Sequence, residues 1–98
     1  MSLFDLDALA AELPVAWRSQ GLARIGAANL KLLRMNAQPL AEETHAYPEG
    51  LLVIDGHLNL QLGARQVIVQ AGELYVVPPG VPHAVADGSD GTLLIIDL

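Results

Sequence analysis

The sequence predicts an all-β domain, a barrel or sandwich, with one short helix at its N-terminus. Three observations predict it. Short apolar runs recur along the chain and are cut at regular spacing by glycine and proline. A helical period of apolar residues is confined to the first residues. The stretch Glu49 to Leu62 alternates apolar and polar residues around an Asp-Gly pair.

The chain has 98 residues, which supports one domain spanning 1–98. Residues 1–14 read as the helical segment. Asp5 can cap it, Leu6, Leu9, Ala10 and Leu13 share a face, and Pro14 stops it. The pattern then turns to β, with Leu22 to Ile25 and Leu30 to Met35 separated by Gly26-Ala27-Ala28-Asn29. Pro39 breaks the chain before the polar stretch Glu42-Glu43-Thr44-His45.

In the next stretch, Asp55-Gly56 lies between two strand patterns, and Asp-Gly is a strong hairpin signal because both turn positions take positive φ. A two-residue loop would set Val53 opposite Leu58, Leu51 opposite Leu60 and Glu49 opposite Leu62. Cross-strand partners share a face. Glu49, Leu51, Val53, Leu58, Leu60 and Leu62 therefore point inward, and His57, Asn59 and Gln61 point out. Leu52 and Ile54 also face outward, where they either pack under the N-terminal segment or form a dimer face. Further strands are expected at Gln66 to Val69, Leu74 to Val77, His83 to Ala86 and Thr92 to Leu98, between Gly63, Gly72, Pro78-Pro79-Gly80 and the turn Asp87 to Gly91.

Composition narrows the function. The formal net charge of −6 argues against nucleic acid and against an anionic membrane surface. No run reaches the length of a transmembrane helix, and the start of the chain lacks a basic signal-type region, so a cytoplasmic home is expected. With no cysteine, any metal must be held by imidazole and carboxylate. Hydrophobic residues make up 52% and charged residues 16%, so a homodimer is expected.

Two segments carry chemistry. In the first, Glu43 and His45 stand two apart, a spacing that shares a face on a strand, and Glu49 follows a Tyr47-Pro48 turn. In the second, Gly72, Pro78 and Gly80 lead to His83. Together, over residues 37–98, they resemble the two signature motifs of the cupin superfamily. His45, Glu49 and Gly56 match the second histidine, the glutamate and the glycine of the first motif. Gly72, Pro78, Gly80 and His83 match the second motif at full spacing. The chain departs from the pattern at Glu43, where the family has a histidine, at Asp87, where it has asparagine, and at Ala37, where it has glycine.

The resemblance implies a jelly-roll β-barrel with a central cavity, lined by His45, Glu49 and His83 around a divalent ion such as Zn, Fe, Mn or Ni. Glu43 is either a fourth ligand or a surface residue like Glu42. As a ligand it would make the site harder and more anionic than one with three histidines. Tyr47 is a candidate pocket wall, while Trp17 and Tyr75 read as core. Arg34 lines the cavity if Lys31 sets the opposite parity on its strand, and is otherwise solvated or at an edge. The function expected is that of a metal-binding small cupin acting on a small organic molecule, as an oxygenase or isomerase. The alternative is a non-catalytic binding or regulatory cupin, with or without metal.

Overall fold

The computed structural model describes residues 2–98, and Met1 of the expected N-terminal segment lies outside them. Helix α1 (Leu6–Glu12) starts where Asp5 accepts a hydrogen bond from the Ala8 N–H at 3.1 Å. Eight strands follow: β1 (Gln20–Ile25), β2 (Ala28–Asn36), β3 (Leu40–Glu43), β4 (Glu49–Leu62), β5 (Arg65–Gln70), β6 (Leu74–Val77), β7 (His83–Val85) and β8 (Asp90–Asp97). All pairings are antiparallel. The sheet runs β1-β2-β8-β4-β7-β3, and β5 and β6 also pair with β4. Pairing one strand with four others requires the sheet to curl, and the result is a jelly-roll barrel.

The curl comes from a feature that differs from the expected hairpin. Asp55-Gly56 is not a turn, and Glu49–Leu62 is one continuous strand. Its register against β8 slips between Val53, opposite Leu93, and Asp55, opposite Thr92. The extra residue is a β-bulge, which bends the strand and inverts its face parity. Glu49, Leu51 and Val53 before the bulge therefore share the interior with Leu58 and Leu60 after it, as a hairpin would also have placed them. Gly56 has φ +78, and a Cβ there would lie 1.9 Å from the Asp90 carbonyl oxygen. Gly91 on β8 is as tightly met by the Asp55 carbonyl. Two glycines thus let the two backbones touch where β4 bends.

The real tight hairpins close elsewhere. Gly26-Ala27 joins β1 to β2, and Gly63-Ala64 joins β5 to β4. Each loop places its glycine first and at positive φ, as a type II′ turn requires.

Two apolar clusters hold the barrel. The interior one is built on Leu33, Met35, Leu51, Val53, Leu58, Leu60, Val69, Val77 and Leu93. The outer one joins Ala10 and Leu13 to Leu32 and Leu94, with Leu52 and Ile54 packed against it. Helix α1 therefore covers Leu52 and Ile54, and they form no free dimer face. Arg34 also differs from the cavity-lining expectation. It shares parity with Leu30 and Leu32 on the outer face, and its guanidinium donates to the Leu13 carbonyl at 3.2 Å. The interior parity of β2 belongs to Lys31, Leu33 and Met35.

Candidate metal centre

One end of the barrel gathers the polar residues that the interior excludes. Glu49 opens β4 on the same inward parity as Leu51 and Val53, and it is 9% exposed. His83 opens β7 and is 4% exposed. Glu43 is the direct cross-strand partner of His83, so the β3–β7 register brings the two side chains together. His45 lies just beyond the end of β3 rather than on it. It is fixed instead by the second motif, because the Gly80 N–H donates to the His45 carbonyl at 2.8 Å. Gly80 sits at φ +74, so the Pro-Gly turn can bend its amide back toward the first motif.

The four side chains converge. Glu49 Oε1 stands 3.3 Å from His83 Nε2, and Glu49 Oε2 stands 3.6 Å from His45 Nε2. Glu43 Oε2 is 3.7 Å from His45 Nε2. Ligand-type atoms of Glu43, His45 and His83 all lie within 4.8 Å of one another. Tyr47 stacks on His45, with ring centroids 5.2 Å apart and planes inclined by 13°. It forms a wall beside the cluster, whereas Arg34 lies on the opposite face of the sheet.

One hydrogen bond decides the state of His83. Its Nδ1 lies 3.0 Å from the Val81 carbonyl oxygen, which can only accept, so Nδ1 carries the proton. In the neutral ring, Nε2 is then a bare lone pair aimed into the cluster. Among the described residues, the buried side-chain polar atoms that lack a hydrogen-bond partner are His45 Nε2 and His83 Nε2.

A family model for the cupin domain matches residues 33–98. The chain belongs to the cupin family. This cupin is similar in structure to a cupin-2 domain containing protein from Shewanella frigidimarina, at 23% identity and TM-score 0.89, covering 97% of this chain and 93% of that one. It is also similar to a Neisseria meningitidis protein, at 21% identity and TM-score 0.83, covering 98% of each chain. A cupin superfamily protein from Desulfitobacterium hafniense matches at 19% identity and TM-score 0.75, over 92% of this chain and 86% of that one. At these identities the likeness establishes the fold. No curated protein matches the chain in sequence.

The donor set of this cupin fits a divalent cation. Two buried imidazole Nε2 atoms without hydrogen-bond partners face carboxylate oxygens, and Nδ1 of one ring is already held by a backbone carbonyl, as metal-bound histidines commonly are. The sequence reading missed one part of the same end. Lys31 Nζ pairs with Asp97 Oδ2 at 2.6 Å, and Asp97 is 6% exposed. Leu33 and Met35, two and four residues further along β2, carried the signal, since interior parity at those positions puts Lys31 inside as well.

Proposed function

We propose that this cupin binds one divalent first-row metal ion through His45, Glu49 and His83, with Glu43 as the fourth donor, and uses it to hold a small organic ligand. The observation that carries the reading is the pair of buried, unpartnered Nε2 atoms facing the Glu49 carboxylate. Leaving such atoms unsatisfied costs about 1–3 kcal/mol each, and a cation between them would remove that cost. A bound ion would supply Lewis acidity that polarises a ligand oxygen. In its catalytic form the chemistry is of oxygenase or isomerase type.

The chain's own residues supply the rest. Val81 holds the His83 tautomer, the Gly80 amide positions His45, and Tyr47 stacks on that ring. Glu43 is the solvent-side donor, with 58% of its side chain exposed. It is therefore the group best placed to yield to an incoming ligand.

The test is elemental analysis of protein purified without chelator, alongside His83→Ala. The parent should carry a divalent metal and the variant should lose most of it. A parent that takes up no Zn, Mn, Fe or Ni on dialysis, or a variant that loads as well as the parent, would overturn the reading.

The proposal includes a homodimer, on a surface other than the one α1 covers. Among the described residues β6 pairs with β4 alone, and its outward residues Leu74 and Val76 are more than half exposed beside Ile96 and Leu98. An unpaired strand edge bordered by apolar surface suits a second copy of the same chain. Light scattering at micromolar concentration should give twice the chain mass, and the single mass would refute it.

A further inference from the structure

Five basic residues occur in the chain; Arg24, Lys31 and Arg65 fall on the inward parity of their strands, and of these three Lys31 is the one that is not fully exposed. It belongs to the row that contains Leu33 and Met35, yet its side chain remains 32% exposed. Asp97 holds its ammonium at 2.6 Å, and Asn29 donates to the other oxygen of that carboxylate at 3.4 Å. The ladder that sets Leu51 beside Ile95 and Gly50 beside Ile96, continued by one residue, brings Glu49 beside Asp97 on the same inward face. The Lys31 ammonium therefore lies over β8, one strand spacing, ~4.8 Å, from the strand that carries Glu49.

Asp97 takes one of the three ammonium N–H donors, and the partial exposure of the side chain leaves the others open to a ligand. A surface pair would be worth little, but this carboxylate is buried and fixes the direction of the lysine. We propose that the small-molecule ligand of this site is a small organic acid. Its carboxylate is received by Lys31, and a second oxygen donor at its far end reaches the cluster of His45, Glu49 and His83. The proposal rests on the metal reading above and names its ligand class. The separation suits an acid of about four or five carbons, since one strand spacing plus the reach to a coordinated ion must be spanned.

Lys31→Met alone would leave Asp97 buried and unpaired, so the test uses the double variant Lys31→Met with Asp97→Asn, and Lys31→Arg as the conservative change. Metal content is first measured on each protein. Succinate, glutarate and the uncharged succinamide are then titrated by calorimetry. The parent should bind both acids and not the diamide. The double variant should bind the acids about ten-fold or more weakly at unchanged metal content, and Lys31→Arg should retain binding. Equal affinity in parent and double variant, or equal binding of acid and diamide, overturns the role of Lys31. A parent without metal fails at the first measurement. That outcome overturns the metal reading, and with it the anchor for the far end of the acid.

Discussion

His83 Nε2 and Glu49 Oε1 face each other at 3.3 Å, and the ring's other nitrogen, Nδ1, is committed to the Val81 carbonyl. With the ring neutral these are two electron-rich atoms, and a cation between them is supplied either by a proton on Nε2 or by a metal ion. Glu49→Gln should separate the two ways of supplying one. The amide N–H can donate to His83 Nε2, so the metal-free variant should be as stable as the parent or more stable by about 1 kcal/mol. Metal uptake should fall sharply, because an anionic donor is gone. Thermal unfolding of metal-free protein and elemental analysis of loaded protein check the two halves. Undiminished metal loading would remove Glu49 from the ligand set.

Glu43 stands where the family has a histidine. If it is a donor, Glu43→His should keep the metal and shift preference toward later first-row ions, because imidazole is softer than carboxylate. Glu43→Ala should weaken binding. Competitive loading with Zn, Mn, Fe and Ni reads both variants. Identical profiles in all three proteins would reduce the site to His45, Glu49 and His83.

Acid should release the ion. Protonated imidazole cannot ligate, and free imidazole takes up its proton near pH ~6.5. Metal affinity therefore falls as pH falls, with most of the ion lost by about pH 4, where carboxylates also begin to protonate. Dialysis across that range followed by elemental analysis measures it. Metal held unchanged at the acid end would argue against imidazole donors.

Ala37 adopts φ +69, and both its backbone groups are pinned there. Its N–H donates to the Ser89 carbonyl at 2.7 Å and its carbonyl accepts from Gly88 at 2.8 Å. A left-handed conformation costs an L-residue about 1–2 kcal/mol, whereas glycine loses about 0.4–1 kcal/mol of that gain through the unfolded chain. The side chain is exposed, so no packing is lost. Ala37→Gly should therefore stabilise the protein by roughly 0.5–1 kcal/mol, a rise of several degrees in Tm for a chain of this size. An unchanged or lower Tm would show that the strain is relieved elsewhere.

Much of the fold was legible because alternation and punctuation are local. The helix at Leu6–Glu12, its Asp5 cap, and the strand Leu74–Val77 follow from residues within a few positions of one another. The inward set of β4 was also read correctly, though through a turn that does not exist. A hairpin and a one-residue bulge invert face parity in the same way, so alternation alone does not distinguish them. What distinguishes them is Gly91, thirty-five residues later, which gives Gly56 a backbone to lie against.

The sequence by itself determined the ligand-type residues at one end of the barrel, since His45, Glu49, Gly72, Pro78, Gly80 and His83 keep a motif's spacing and cysteine is absent. It also determined that Glu43 and Ala37 depart from that motif. The tertiary structure decided which of these residues meet and in what state. Only the β3–β7 register sets Glu43 opposite His83, only the Val81 carbonyl holds a proton on Nδ1 of that ring, and only the packing of β2 against β8 pairs Lys31 with Asp97. Convergence depends on pairings between strands far apart in the chain, and a local pattern reports which face a residue takes without reporting what stands across from it.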